Sequence, residues 1–344
     1  MSLLLKAARG DYTSRAPMWI MRQAGRHLPE YRALKERHTF WTLCSTPELA
    51  CEVTLQPTRR YPLDAAILFR DIMTPLPSMG VRLDFRPGPV IGEPIRSRAQ
   101  VDALHLPHPD EIAPFVPAAI QLIRAATDLP LIGFAGAPLT LAAYLIEGSG
   151  SKDFATFRAF LRQQPAAAHA LLHKLTAQTI AYLNGQVAAG AQAVQLFDSW
   201  AGLHDAETFA EFGAPYVARV LEAVSGVPRI YFAVASQHLD AQIARLPVDV
   251  VSVDWRRSLT DARRALGAKT LQGNLDPAML LAPRDALRRA AERVLAAGAA
   301  GPHIFNLGHG IMPTTDPATV EFLVDLVHNY ERHLNVPNVS AAPA

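Results

Sequence analysis

Two arginines four residues apart, Arg22 and Arg26, bracket the turn Gln23-Ala24-Gly25. A guanidinium is a planar fork of N–H donors that matches a carboxylate or phosphate. The small residues between them let backbone and fork approach such an anion closely. The loop that carries them, residues 21–31, is long, and long ordered loops in compact domains usually serve function. The plainer alternative is a pair of solvated surface arginines. Further along the chain, polar residues stand just beyond short apolar runs: Asp71, the turn Gly136-Ala137-Pro138, Asp198 and Ser199, Ser236 and Gln237, Asp254, Asn274 and His309.

Those residues need a frame that gathers them at one end, and the apolar runs supply it. Eight runs, at 18–21, 65–69, 131–134, 194–197, 230–234, 250–253, 270–271 and 303–307, alternate with helical patterns. Leu287, Ala291, Val294, Leu295 and Gly298 share one helix face, as do Val320, Leu323, Val324 and Val327. Thr46-Pro47-Glu48 and Ala282-Pro283 mark helix starts, and Gly226 and Gly298 mark ends. Continuously apolar strands separated by helices are parallel strands covered on both faces, and the closed arrangement of eight is a single (β/α)8 barrel. An open doubly wound sheet is the alternative. In a barrel, residues just past the C-terminal strand ends form the catalytic rim, which is where Arg22, Asp71, Ser199 and His309 fall. Residues 81–90 interrupt the alternation and read as a small hairpin.

Composition narrows the function class. The 344 residues are 50% hydrophobic and 19% charged, with a formal net charge of +2, so the chain is a globular protein without the clustered basic face that nucleic acid demands. No run reaches the length of a membrane span, and the start has too short an apolar core for a signal peptide; a cytoplasmic protein with no membrane or nucleic-acid partner is expected. Cys44 and Cys51 lie seven apart on what reads as one helix, too distant for a disulfide, and read as structural thiols. His169 and His173 could share a helix face, yet no His-Glu-x-x-His pattern accompanies them, so no metal site is expected. Gly133-Phe134-Ala135-Gly136 lacks the phosphate-binding fingerprint and reads as tight strand-to-helix packing. The pairs Arg256-Arg257, Arg263-Arg264 and Arg288-Arg289 read as solvated helix faces.

Six ordered stretches share one resemblance: Pro17 to Tyr31 (PMWIMRQAGRHLPEY), Ala66-Ile67-Leu68-Phe69 with Asp71-Ile72, Gly133 to Leu141 with Tyr144, Phe197-Asp198-Ser199-Trp200-Ala201-Gly202, Leu271 to Pro277 and Asn306-Leu307-Gly308-His309-Gly310. Together they resemble the uroporphyrinogen decarboxylase family over roughly residues 3 to 334. The resemblance implies one catalytic (β/α)8 domain over 1–334, a homodimer whose clefts face each other, and neither cofactor nor metal; residues 335–344, rich in Pro, Ala and Ser, read as a disordered tail. The implied substrate is uroporphyrinogen III, a reduced tetrapyrrole whose four acetates lose CO2 to become methyl groups.

That chemistry assigns roles to the matching residues. Protonating the pyrrole carbon that bears an acetate makes the ring an electron sink, and Asp71 would accept the pyrrole N–H groups and stabilise the charge that develops. Arg22 and Arg26 match the substrate arginines, one of which is also proposed as the proton donor. An arginine holds its proton to above about pH 12, so Arg22 serves better as anchor and electrostatic partner, orienting a water that carries the proton. Tyr144, Ser199 and His309 would hydrogen-bond substrate carboxylates. Tyr144 could instead be a packed helix residue, and Ser199 an N-cap.

The chain departs from the family pattern at Arg70, where a small hydroxyl residue is usual, and at Lys35, where arginine is usual. Alternation along a strand turns Arg70 away from the site, and Lys35 keeps charge without the bidentate fork. Two rival activities remain. One is a zinc-dependent methyltransferase of related fold, for which the cysteines are badly placed; the other is a catalytically silent tetrapyrrole binder.

Overall fold

The computed structural model describes residues 1–330; the tail expected at 335–344 lies outside them. The described residues contain nine strands: β1 (Ala66–Ile67), β2 (Leu83–Phe85), β3 (Pro89–Ile91), β4 (Leu131–Gly136), β5 (Ala193–Asp198), β6 (Arg229–Ala233), β7 (Val250–Ser252), β8 (Thr270–Leu275) and β9 (His303–Leu307). Seven of them form one parallel sheet in the order β1-β4-β5-β6-β7-β8-β9, while β2 and β3 pair antiparallel as the expected hairpin. Helices separate the successive parallel strands. Every residue of β4, β7, β8 and β9 is buried, as strands covered on both faces must be. The helices expected from periodicity are Arg284–Gly298 and Pro317–His328.

The first expected strand, 18–21, does not extend into a ladder. Met18 makes one parallel bridge to Phe305. On one side the Phe305 amide donates to Pro17 O at 2.9 Å, and on the other the Asp64 amide donates to Met18 O at 2.8 Å. Three of the segment's amides donate to side chains. Pro17 has no N–H, Met18 N donates to Asp64 Oδ2 (2.7 Å), Ile20 N to Gln23 Oε1 (3.0 Å) and Met21 N to Asn306 Oδ1 (2.9 Å). An extended, apolar segment is thus held between β9 and the start of β1 without regular pairing.

Side chains inside the sheet fasten that segment further. Trp19 Nε1 donates to Gln272 Oε1 at 2.9 Å, and Gln272 Nε2 donates at 3.0 Å to both Gln195 Oε1 and Ser252 Oγ. All four residues are buried. One carboxamide on β8 therefore ties the N-terminal segment to β5 and β7. The glycines of β4 serve packing, as expected: a Cβ at Gly133 would stand 2.5 Å from Gln186 Oε1, and one at Gly136 2.7 Å from Leu141 Cδ2.

Two expectations about helices are corrected. Cys44 and Cys51 sit on different helices, Phe40–Ser45 and Pro47–Arg60, because Thr46 turns extended before Pro47; both thiols are free. The basic pairs are not uniformly solvated. Arg257 pairs with Asp240, Arg263 donates to Lys269 O and Pro302 O, and Arg256 lies over the Trp255 ring.

Replacing Gln272 by Leu leaves Trp19 Nε1 and Ser252 without their buried partner, so Q272L should lose about 3 kcal/mol in denaturant unfolding, since each orphaned polar group costs about 1–3 kcal/mol. An unchanged midpoint would show that the interior network is dispensable.

Candidate active site

Arg22 follows the bridging segment in left-handed backbone, φ 64°, a conformation that costs a non-glycine residue about 1 kcal/mol or more. Flanking bonds enforce it. Gln23 N donates to Ile20 O (2.8 Å), Gln23 Nε2 donates to Ala65 O (3.1 Å), and Ile311 N donates to Met21 O (2.9 Å). The arginine turn is thereby anchored both to the start of β1 and to the loop after β9. The Arg22 side chain crosses Gly310, where a Cβ would fall 2.3 Å from Arg22 Cδ. Only glycine leaves room for it.

Asp71 stands beyond β1 in a turn closed by Thr74, whose hydroxyl donates to Asp71 O at 2.7 Å. Its Oδ1 accepts the Met73 amide at 2.9 Å. Oδ2 makes no hydrogen bond among the described residues, and the residue is only half-buried, so this oxygen is open to a ligand. Burial raises the carboxyl above its ordinary value, opposed by the Met73 amide and by Arg22. The acid is thus poorly solvated and sits next to a cation.

Tyr144 lies on the helix Pro138–Glu147, its ring edge-on to Phe154 (5.7 Å) and Trp200 (6.0 Å). It is both packed and half-exposed. Burial raises its phenol, Trp200 and Arg22 counteract, and the Asp71 carboxylate adds to the rise. Ser199 follows β5, half-buried, and does not cap the short helix Ala201–Leu203. The residue before it sets its position. Asp198 is buried and accepts Thr140 Oγ1–H (2.7 Å) and Tyr231 O–H (2.9 Å), while Trp200 N donates to Thr140 Oγ1 (3.2 Å). Burial pushes the Asp198 carboxyl up to about 6. This acid joins the Tyr144 helix, β5 and β6 into one wall.

His309 follows β9 with its ring near Trp255 (6.0 Å) and Phe232 (6.1 Å). Burial first, then the charges of Arg22 and Arg256, push its imidazole down to about 4, with Asp254 opposing. At neutral pH it is an uncharged ring with one donor and one acceptor.

The structure therefore brings Asp71, Tyr144 and His309 within electrostatic reach of Arg22, and Asp71 within reach of Tyr144, beyond the C-terminal ends of the strands, with Ser199 on the loop after β5. Arg26 is not part of that set. Like Arg22 it is exposed, but its carbonyl accepts Arg32 Nη1 (3.0 Å) and its charge registers at Tyr31, not at Asp71, Tyr144 or His309. Arg70 turns away as alternation predicts: it is buried over the Phe115 ring at 5.0 Å and donates to Phe115 O. Lys35 is exposed on the helix Pro29–Arg37. Sequence reasoning missed the clamp made by Asp198 and the presence of Arg256 beside His309. Asp254 at a strand end was the available signal for the latter. His169 pairs with Tyr216 and His173 with Arg219. Among the described residues no group of three or more His, Cys, Asp or Glu side chains is placed to hold a metal ion.

Two expected outcomes follow from this geometry. Gly310→Ala displaces Arg22 and should raise KM about tenfold, the value of one charge-assisted contact, with little change in melting temperature; unchanged kinetics would detach Arg22 from the site. His27, in the same loop, is buried with neither ring nitrogen bonded among the described residues, and burial, aided by Arg32 and Arg60 against Glu30, holds it at about 4. The unfolded chain binds this proton near pH 6.5 and the folded chain does not, so His27 drains stability as pH falls from 6.5 to 4 and has no further effect below. The stability difference between H27F and the parent should grow over that window by up to about 3 kcal/mol; a difference independent of pH would refute the buried neutral imidazole.

The uroporphyrinogen decarboxylase (URO-D) family profile matches residues 1–330. Proteins named uroporphyrinogen decarboxylase from Geobacillus kaustophilus and Mycobacterium tuberculosis are 47% and 48% identical to this chain, over 95% and 94% of it and 96% of each relative. Among solved structures, a methyltransferase from Methanosarcina mazei aligns with a TM-score of 0.81 over 95% of this chain and 98% of its own, at 22% identity, a likeness of fold alone. With the family profile spanning every described residue and relatives of near-equal length at such identity, the chain belongs to the uroporphyrinogen decarboxylase family.

Proposed function

We propose that this protein removes CO2 from the four acetates of uroporphyrinogen III, giving coproporphyrinogen III for tetrapyrrole biosynthesis. The observation that carries this reading is the half-buried Asp71 carboxylate with one oxygen open, set beside Arg22 and Tyr144. Asp71 accepts the pyrrole N–H groups, and its poor solvation makes its attraction for a cationic ring stronger than for a neutral one. A proton added at the acetate-bearing ring carbon produces that cation. The C–CO2 bond then breaks, its electrons pass into the ring, and CO2 leaves an exocyclic methylene. Protonation of the methylene and loss of the ring proton restore the pyrrole and complete the methyl group.

Arg22 anchors an acetate or propionate and orients the water that delivers the proton. Tyr144, Ser199 and neutral His309 donate hydrogen bonds to further carboxylates. Arg26, at the exposed part of the loop, takes a carboxylate when the loop closes over substrate. The enzyme needs no cofactor or metal in this scheme, since the protonated pyrrole itself accepts the electrons.

The same reading extends to architecture. Residues 17–21, hydrogen-bonded to Phe305 on one side and to Asp64 on the other, serve as the eighth stave of a (β/α)8 barrel that forms one catalytic domain. The active unit is a cytoplasmic homodimer with facing clefts. Among the described residues no helix is long and apolar enough to cross a membrane.

Anaerobic incubation of metal-stripped protein with chemically reduced uroporphyrinogen III should convert eight carboxylates to four, read by chromatography of the oxidised products. D71N should lower kcat about 10²- to 10³-fold, the range for removing one preorganised charge-stabilising group, while uroporphyrin III still binds. Binding without turnover by the parent protein would favour the silent tetrapyrrole binder, and full activity in D71N would remove Asp71 from the mechanism.

A further inference from the structure

Beyond the arginine loop, the loop after β7 places a second cation within electrostatic reach of His309. Asp254, buried at the end of that strand, accepts Arg256 N at Oδ1 (2.8 Å), and its Oδ2 accepts both the Ala235 amide and Arg256 Nη1, the latter at 3.0 Å. The Arg256 guanidinium lies 3.9 Å from the Trp255 ring centroid, a cation–π stack that fixes its plane. Asn274 Nδ2 donates to Asp254 O and Arg257 O (2.8 and 2.7 Å), tying the loop to β8. Gly308 presses against it from β9, since a Cβ there would fall 2.3 Å from Trp255 N. Arg256 and His309 are thus held on two loops in direct contact.

Only one nitrogen of the fork is committed. Nε and Nη2 of Arg256 make no hydrogen bond among the described residues, and the side chain is 41% exposed. Its neighbour Arg257 differs: Nη1 contacts both Asp240 oxygens at 2.6 Å and the side chain is 14% exposed. Arg256 therefore has a fixed plane, a fixed edge and a free edge. A guanidinium held this way loses little entropy on accepting a planar anion.

We propose that Arg256 anchors a substrate carboxylate on the β7 side of the cleft, beside His309. The proposal rests on the reading that Arg22, Asp71 and His309 line the substrate cleft. An octacarboxylate ring presents anions around its whole rim, so one arginine loop cannot meet them all. Asp254 acts through Arg256 as a positioning residue.

The test combines steady-state kinetics with binding of uroporphyrin III, the oxidised octacarboxylate, followed by tryptophan quenching. R256Q should weaken binding and raise KM about tenfold, the value of one charge-assisted hydrogen-bonded contact, with kcat within about threefold and the melting temperature unchanged. R256K should recover part of the loss, as charge returns without the fork. Unchanged KM and affinity would overturn the proposal, and so would a fall in kcat and melting temperature with KM intact, which is the signature of loop support alone. R22Q run in parallel separates the two readings. If R22Q is impaired while R256Q is normal, only the second anchor fails; if neither matters, the cleft itself has been misplaced.

Discussion

The site depends on a polar tie placed where an apolar core would be expected. Gln272 reaches across the interior from β8 to Trp19, Gln195 and Ser252. In low dielectric such bonds are strong, and leaving any of them unmade is costly. The segment 17–21 lacks a regular ladder, so its position rests on these side-chain bonds and on Asp64, Gln23 and Asn306. Arg22 emerges directly from that segment in a strained conformation. The location of Arg22 is thus set by hydrogen bonds to Asp64, Gln272 and Asn306 and to its own neighbour Gln23, a rigid mounting for a group proposed to meet its anion in one geometry.

Burial then sorts the charges. Asp71 and Asp198 are both carboxylates at strand ends, but Asp198 is enclosed and saturated by Thr140 and Tyr231, while Asp71 keeps an oxygen open beside Arg22. The first organises the wall, and the second keeps the open oxygen that the proposed chemistry uses. His309 shows the same logic from the cationic side. Two arginines and burial keep it neutral, so it adds a hydrogen bond to an anion site without adding a repelling charge to its neighbours.

How much of this was legible in the sequence follows from which interactions are local. The seven ladder strands announce themselves as apolar runs because both faces are buried, and the glycines of β4 because helix and strand touch there. Residues 18–21 carry the same apolar signal, yet their amides are claimed by Asp64, Gln23 and Asn306, up to 285 positions away in sequence. Nothing in a hydrophobic pattern reports that competition. Arg22, Asp71, Tyr144 and His309 were found from strand ends and motif resemblance. Arg256 was hidden in a pair of like residues, since the difference between it and Arg257 lies in Asp254 and Asp240, one two residues off and the other on a separate helix.

The likeness to a methyltransferase at 22% identity is one of fold alone, and a fold does not by itself fix a chemistry. A parallel sheet with its loops gathered at one end tolerates wholesale change on that rim, because the strands are held by backbone pairing and interior packing. The groups on which the proposed chemistry rests stand beyond the strand ends: a cation crossing a glycine, a half-buried acid, a tyrosine wedged among aromatics, a neutral imidazole and a stacked arginine. A reaction that protonates its own substrate into an electron sink needs no more than this, provided the acid that stabilises the cation is poorly solvated. The turn after β1 meets that condition: it folds Asp71 back onto the Met73 amide and leaves the second oxygen without a hydrogen bond among the described residues.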